Sequence, residues 1–268
     1  MNAYKIEAGT AQHIGNRSQQ NDRTALYSST RAPGYVMAVL ADGFPGGAIG
    51  SEQVLHTSKQ LFDEFGAGDT PNMERLTVLL RDIAAEAHAI IKMSPVTTAV
   101  EPHSTMVILI IAPQGLAIWA HVGESRLYRV SHRHCAQRSN DAAYVEYLVS
   151  HDNLPLEAAR KHRNSKLLSN MLGNTLREPY VTIGSHAGLQ AGDAFLLCSD
   201  GLWQYFTDEE LAAVVSRETP RLAGERLIDK AQERAKGQGD NCSMIIVKLI
   251  KPPKEVQNYT VQKMGRAV

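Results

Sequence analysis

The sequence predicts an α+β protein in which strands and helices form separate layers. Six short segments are mostly apolar, rich in β-branched residues and bounded by Gly, Pro, Asp or Asn, which is typical of strands buried on both faces. Four other segments carry apolar residues at the spacing of amphipathic helices. Several strands are joined by short turns, which argues against a doubly wound parallel sheet and favours α+β layers.

The predicted strands are apolar runs that end at turn residues. They lie at 35–41, 105–112, 116–122, 126–130, 194–198 and 242–249. Pro113-Gln114-Gly115 and Gly123-Glu124-Ser125 join the second, third and fourth of them, and both are turn sequences. We therefore expect these three strands to form an antiparallel meander.

Apolar residues recur at helical spacing through 54–65 and 76–90, which predicts two long helices after the first strand. A third helix is predicted to begin at Thr207, an N-cap residue with Glu210 at the third helical position. A fourth is predicted over about 221–235. Residues 131–180 are more polar and have little strand signal, so we expect a helical insertion over one edge of the sheets.

Composition limits the classes of partner. The chain has 268 residues, 43% of them apolar, so it can bury a sizeable core as one large domain or two small ones. Its 28 basic and 28 acidic side chains balance, which leaves no electrostatic footprint for nucleic acid. No apolar run approaches the ~18 residues that span a bilayer, and no signal peptide is recognisable. With three widely spaced cysteines, expected to be reduced thiols, we expect a soluble cytoplasmic protein without a nucleic-acid or membrane partner.

Four aspartates lie just outside the ends of strand-like segments: Asp22, Asp42, Asp200 and Asp240. Taken singly, an Asp-Gly pair is expected to be a turn or a helix cap. However, Asp42-Gly43 and Asp200-Gly201 each follow an apolar strand and precede a helical segment, and this repetition favours a metal site. Clustered carboxylates repel one another unless a cation lies among them, and oxygen ligands suit Mg²⁺ or Mn²⁺ better than Zn²⁺.

Motifs for other kinds of site are missing from the sequence. It contains neither C-x-x-C nor H-E-x-x-H, so a zinc site has no support. The glycine-rich stretch at 42–50 fits neither common nucleotide-binding pattern. Ser125 lacks the second glycine of a nucleophile elbow, which leaves a serine hydrolase unsupported.

A set of short motifs occurs in a definite order along the chain. They are Arg17 with Asp22, Asp42-Gly43 with Gly46-Gly47, Ser104-Thr105, HVGESR at 121–126, SDGLW at 199–203 and GDN at 239–241. In this order and rough spacing, the sequence resembles bacterial metal-dependent protein Ser/Thr phosphatases of type 2C over about residues 9–250. Each motif alone is weak, but the ordered set is specific.

This resemblance implies the architecture and the metal ligands. The family fold is a pair of packed antiparallel β-sheets flanked by helices on both outer faces, a four-layer sandwich. By match to the family's motifs, two Mn²⁺ or Mg²⁺ ions are expected to be held by Asp42, Asp200, Asp240 and the carbonyl of Gly43, with Asp42 bridging them. Glu124 falls where relatives have an aspartate that helps to hold a third, weaker ion.

The resemblance also implies two catalytic residues. Arg17 matches the arginine that grips the substrate phosphate, and Asp22 falls at an acidic position beside the ions. The sequence departs from the pattern of bacterial relatives at Phe44 and Pro45, and Phe44 stands where eukaryotic relatives carry a histidine, so no general acid is assigned. Glu124 is one methylene longer than aspartate, which puts the third ion in question.

The implied function is metal-dependent hydrolysis of phosphoserine and phosphothreonine on proteins. We expect a monomer that opposes a bacterial Ser/Thr kinase and acts on that kinase and its substrates. A phosphatase domain is expected over 1–250, with a flap at about 139–173 that contains Asp141 and His162, and a flexible tail at 251–268. Two alternatives stay open: a catalytically weak or inactive phosphatase-fold module that binds a partner, and a hydrolase of small phosphorylated metabolites.

Overall fold

The described part of the chain contains eleven strands. The computed structural model describes residues 4–44, 47–68, 70–94, 101–139, 155 and 170–252. The strands are, in chain order, β1 (Lys5–His13), β2 (Asp22–Ser29), β3 (Ala32–Phe44), β4 (His103–Ser104), β5 (Met106–Ala112), β6 (Leu116–Val122), β7 (Arg126–Ser131), β8 (His134–Arg138), β9 (Thr182–Ala187), β10 (Ala194–Cys198) and β11 (Cys242–Ile250).

Five helices complete the described fold: α1 (Ile49–Glu64), α2 (Met73–Met93), α3 (Asp200–Trp203), α4 (Asp208–Arg217) and α5 (Pro220–Ala235). Side chains cap three of their N-termini. Asn72 accepts a hydrogen bond from the main-chain N–H of Arg75 at the start of α2, and Thr219 caps α5. At α4, Thr207 and Glu210 form the predicted capping box. None of the described helices is long and apolar enough to cross a membrane.

The strands form two antiparallel sheets. The first has the order β1-β11-β10-β7-β8, and the second has the order β2-β3-β5-β6-β9, with the short β4 paired to the end of β3. Buried side chains fill the space between the sheets, including Leu40, Leu109, Trp119, Phe195 and Ile245. Further apolar cores lie on the outer faces, between the second sheet and α1 and α2, and between the first sheet and α3, α4 and α5. The predicted four-layer sandwich is therefore confirmed.

The predicted meander is wrong in one connection. β5 and β6 pair as expected across the turn at Pro113–Gly115, but β7 pairs with β10 and β8 in the other sheet. The segment 123–125 therefore carries the chain from one sheet to the other. Gly123 has a φ of +91°, and a Cβ at this position would lie 2.8 Å from Cγ2 of Thr105. The turn sequence that suggested a hairpin thus lets the chain cross closely from one sheet to the other.

The predicted helical insertion is also wrong in its described parts. His134–Arg138 forms the strand β8, and residues 170–181 follow an irregular path with a single bridge from Leu172 to Ser104. The positions 140–154 and 156–169, which include Asp141 and His162, lie outside the described residues, as does the tail from 253 onwards.

We predict that Gly201→Ala destabilises the fold. Gly201 lies in α3, where a Cβ would meet the carbonyl oxygen of Asn241 at 2.0 Å, so the helix and the start of β11 must move apart. Overpacking of this kind typically costs about 1–3 kcal/mol. Urea unfolding measures the loss, and Gly66→Ala is the matched control because nothing lies within 4 Å of a Cβ there. Equal stability of the two variants would contradict the close approach.

Candidate metal centre

The four predicted aspartates meet at one end of the sandwich. Asp22 is the first residue of β2 and pairs in register with Asp42 near the end of β3. Asp200 follows β10 as the first residue of α3, and Asp240 lies two residues before β11. Asp22, Asp200 and Asp240 all act on the carboxyl group of Asp42 by charge repulsion. Strand register and the ends of two central strands therefore bring distant parts of the chain together.

Asp22 is the most deeply buried of these carboxylates. It has no exposed surface, and its Oδ2 accepts a hydrogen bond of 2.8 Å from the hydroxyl of Ser199. Its Oδ1 is buried without a hydrogen-bond partner. Burial raises the pKa of Asp22 to about 6, against hydrogen bonds from Ser243 and Ser199 that lower it. A buried carboxylate oxygen without a donor is costly, and a cation is a natural partner for it.

The neighbouring carboxylates also hold their protons more tightly than free aspartate. Removal from water raises the pKa of Asp42 well above its ordinary value, and the charges of Asp22 and Asp200 raise it further. Burial, then the charge of Asp240, raises the pKa of Asp200 to about 6. Acidic groups perturbed by burial and by one another are typical of functional sites. When all its carboxyl groups are ionised, the cluster carries more negative charge than its buried surroundings stabilise.

Arg17 supplies positive charge at the edge of this cluster. Its guanidinium donates to Asp240 in a bidentate pair, with Nε 2.7 Å from Oδ1 and Nη2 2.5 Å from Oδ2. Hydrogen bonding to Asp240 raises the pKa of Arg17, and Asp200 and Asp42 add to this. Two residues predicted to bind different groups, phosphate and metal, are thus paired with each other. As they stand, no three acidic, histidine or cysteine side chains in the described ranges are close enough to hold a metal ion.

The main chain at Asp42-Gly43 is fixed from the adjacent strands. Thr105 accepts a hydrogen bond from the Asp42 N–H through Oγ1 at 3.0 Å and donates its own N–H to the Asp42 carbonyl at 2.9 Å. The hydroxyl of Ser104 donates to the same carbonyl at 3.1 Å. The Ser-Thr motif therefore positions the central aspartate. Gly43 is buried, and its carbonyl as a metal ligand stays a prediction.

Asn241 is a site residue that the sequence reasoning missed. Its side-chain amide donates to the carbonyls of Ile14 and Gln19 at 2.8 and 3.0 Å, and its Oδ1 accepts from the N–H of Asn21 at 2.8 Å. One buried side chain thereby ties the loop that carries Arg17 to the start of β11. The signal was present in the GDN motif, in which only the aspartate was assigned a role.

Glu124 lies beside the helix that begins at Asp200. Its carbonyl accepts a hydrogen bond of 3.0 Å from the indole N–H of Trp203, and the guanidinium carbon of Arg126 lies 3.3 Å from the centre of that indole ring. Trp203 is therefore a half-buried anchor for the β6–β7 connection rather than a core residue. The part of Glu124 in a third ion site stays a prediction.

Phe44 packs against a neighbouring ring and has no catalytic role. Its ring lies 6.3 Å from the ring of His103, in a tilted arrangement, on the β3–β4 pair. Pro45 and Gly46 lie outside the described residues. The Gly173 N–H donates to Nδ1 of His88 at 3.0 Å, which ties the 170–181 segment to α2.

The donor set fits a hard divalent cation. All the ligands that the sequence predicts are oxygen atoms, which suits Mg²⁺ or Mn²⁺. One buried oxygen of Asp22 has no hydrogen-bond partner, and the pKa values of Asp22, Asp42 and Asp200 are raised.

We predict that Asn241→Asp destabilises the protein by about 2 kcal/mol, because the partly buried hydrogen bonds to the carbonyls of Ile14 and Gln19 are lost and a further carboxylate joins the cluster. Urea unfolding measures the effect. The control is Asn174→Asp, since Asn174 only accepts a hydrogen bond, at 2.9 Å, from the Leu176 N–H, which aspartate also accepts. If both changes had the same small effect, Asn241 would not hold the loop.

Comparison with solved structures identifies the fold. A Ser/Thr phosphatase from Streptococcus agalactiae matches with a TM-score of 0.76 and 23% identity over 91% of this chain and 99% of that one. The catalytic domain of a Ser/Thr protein phosphatase named PstP, solved in complex with two manganese ions, matches with a TM-score of 0.65 and 23% identity over 91% and 98% of the two chains. Both carry the four-layer sandwich described above.

Comparison of sequences extends this result. The Ser/Thr protein phosphatase PstP of Mycobacterium tuberculosis is 26% identical over 233 residues, which cover 86% of this chain. The chain spans only 42% of the length of that relative. A family model described as protein phosphatase 2C matches residues 9–234. The chain belongs to the protein phosphatase 2C family.

Proposed function

We propose that this protein is a metal-dependent phosphatase that removes phosphate from phosphoserine and phosphothreonine on proteins. One observation supports it most directly: buried, mutually repelling carboxylates gather with an arginine at one end of the sandwich. This chain has an aspartate at all four acidic positions of the predicted site. Loss of Asp42, Asp200 or Asp240 would indicate an inactive enzyme. The family's relatives named as Ser/Thr phosphatases support the same reaction.

Two Mn²⁺ or Mg²⁺ ions are the proposed cofactors. Asp42, Asp200, Asp240 and the carbonyl of Gly43 would hold them, and Glu124 would contribute to a weaker third site. When bound, such ions supply hydroxide near neutral pH by lowering the pKa of water. The manganese ions in the structure of the PstP catalytic domain support this choice. Asp22, buried beside Asp42, would orient the Asp42 carboxylate and keep the site negative enough to retain the cations.

Arg17 is the proposed phosphate-binding residue. Its side chain is 60% exposed and lies at the edge of the acidic cluster, where an incoming phosphate group can reach it. A planar fork of donors binds two phosphate oxygens at once, and its charge counts most as negative charge develops during reaction. Arg17 must leave Asp240 to do this, so metal uptake by Asp240 and phosphate binding by Arg17 are compatible with each other.

The leaving serine or threonine oxygen needs a proton, and the side chain of Phe44 cannot donate one. We therefore assign the proton to water held in the site rather than to a side chain. The proposed setting is the bacterial cytoplasm, where a monomer would oppose a Ser/Thr kinase. The phosphatase domain would cover residues 1–250, with the tail from 251 outside it.

The test is Mn²⁺-dependent hydrolysis of an aryl phosphate and of a phosphothreonine peptide. We expect turnover that a chelator abolishes. Asp200→Asn should lower it by about 10²-fold or more, because the carboxylate that would balance the charge of the cations is lost. Asp229→Asn on α5 is the matched control, since Asp229 is exposed and outside the cluster. Steady-state kcat/KM is the measurement.

Two outcomes would contradict the proposal. A folded, Mn²⁺-loaded protein without turnover would instead support a phosphatase-fold module that binds a partner. Rapid hydrolysis of small phosphomonoesters with no activity on phosphopeptides would support a metabolite hydrolase.

A further inference from the structure

A second polar pocket lies at the opposite end of the sandwich from the acidic cluster. It has a volume of about 480 Å³ and is lined by β7, the β7–β8 turn, β9, the loop that precedes β10 and Ser216 of α4. β10 begins directly after Asp193 in this pocket and ends directly before Ser199 and Asp200. Five strand residues at about 3.3 Å each separate the two places by about 17 Å. The pocket is therefore a separate feature.

The pocket opens at the margin between the two sheets. Arg129 of β7 is two residues from Leu127, which belongs to the inter-sheet core, so both side chains leave the same face. On the other sheet, His186 of β9 pairs in register with Ala117, which also faces that core. One basic residue from each sheet thus faces the gap between them.

Among the residues that the structure describes, the guanidinium of Arg129 is not fully satisfied. Its Nε is buried without a hydrogen-bond partner, and no ion pair is formed by Arg129 or Arg133 with any part of the chain that the structure describes. A buried donor left unsatisfied costs about 1–3 kcal/mol. A guanidinium in a polar cavity, with room beside it, has the chemistry to bind an anion.

The β7–β8 turn adds two further basic side chains to the same pocket. His132 and Arg133 have φ values of +49° and +69°, the left-handed region that a two-residue hairpin turn of this type requires. Asn and Gly usually fill these positions, whereas a side chain of this size is strained there. Strained backbone is often found where a ligand is clamped. Here it holds an arginine and a histidine over the cavity.

The acidic residue in the lining is already engaged. Oδ2 of Asp193 accepts a hydrogen bond of 2.9 Å from the Gln190 N–H, which closes the loop before β10. Gly188 and Gly192 in this loop have φ values of +80° and +110° and nothing within 4 Å of a Cβ, so their backbone is open to the cavity. Two arginines and two histidines therefore face one aspartate that has a structural task.

We propose that this pocket binds a phosphate-type oxyanion, either inorganic phosphate or a phosphomonoester group. Arg129 and Arg133 supply the charged donors, and His132 and His186 line the same space. The size of the pocket admits a phosphate group with a short substituent. This site does not take part in the proposed hydrolysis, so its test does not depend on activity.

The test is an NMR titration of the metal-free full chain with inorganic phosphate at constant ionic strength. We expect the backbone amides of Gly188 and Gly192 to shift in a saturable way. The double change Arg129→Gln with Arg133→Gln should weaken binding by at least about tenfold. Arg133→Gln alone, in an exposed turn, should weaken it measurably and covers the case in which the double variant does not fold.

Two matched controls locate the effect. Arg221→Gln removes a highly exposed arginine on α5, and Arg17→Gln removes the arginine of the acidic cluster; both should leave the shifts of Gly188 and Gly192 unchanged. A phosphoserine peptide and its unphosphorylated form then distinguish the sources of the anion. If the phosphopeptide shifts the two amides and the unphosphorylated peptide does not, the pocket accepts phosphorylated chains. If inorganic phosphate shifts them and neither peptide does, the pocket is a site for free anions.

Absence of saturable shifts at tens of millimolar phosphate would overturn the proposal. So would shifts that persist unchanged in the Arg129 and Arg133 variants. Equal loss in the Arg17 variant would place the anion at the acidic cluster instead.

Discussion

The burial of like-charged carboxylates at one end of the sandwich is the constraint on which the site depends. Asp22 is completely buried, next to Asp42 across a strand pair, and both hold their protons more tightly than free aspartate. Removal from water and mutual repulsion both disfavour the charged forms. The fold tolerates this because Ser199 donates to Asp22 and Arg17 pairs with Asp240. A cation would relieve the remaining repulsion, which is why the same arrangement suits a metal-dependent hydrolase.

Strand register turns this constraint into a defined geometry. Side chains alternate between the faces of a strand, so a slip of one residue between β2 and β3 would send Asp42 to the opposite face. Thr105 and Ser104 hold the Asp42 main chain from the β4–β5 side. Asn241 holds the Arg17 loop against the start of β11. The acidic cluster therefore depends on uncharged neighbours that fix its backbone.

The sequence predicted the central strands of both sheets but not their edges. The strands β3, β5 and β6, and likewise β7, β10 and β11, lie inside the sheets, and all of them except β7 are mainly apolar. Five strands were missed: β1, β2, β8 and β9 are outer strands, and the two-residue β4 pairs only with the end of β3. Outer strands face solvent with many polar residues, as in KIEAGTAQH of β1, so they lack the apolar signal.

The site was predicted unevenly for a similar reason. Aspartates after apolar strands are conspicuous, and Asp22, Asp42, Asp200 and Asp240 do come together. The pairing of Arg17 with Asp240 joins residues 223 positions apart and leaves no local pattern. Asn241 and Ser199 act through hydrogen bonds to distant main chain or buried carboxylate, which depend on the packed structure alone. The crossing at Gly123 was misread because a turn sequence does not state which sheet follows.

The most direct test of this account is the free energy of unfolding with and without Mn²⁺. If cations relieve the buried repulsion, Mn²⁺ at about 100 times its Kd should stabilise the wild-type protein by about 2.7 kcal/mol. Asp42→Asn should lose that stabilisation while remaining at least as stable as the wild-type protein without metal, because it removes a repelling carboxyl group. Equal stabilisation of both proteins by Mn²⁺, or none of either, would contradict the central role of the acidic cluster.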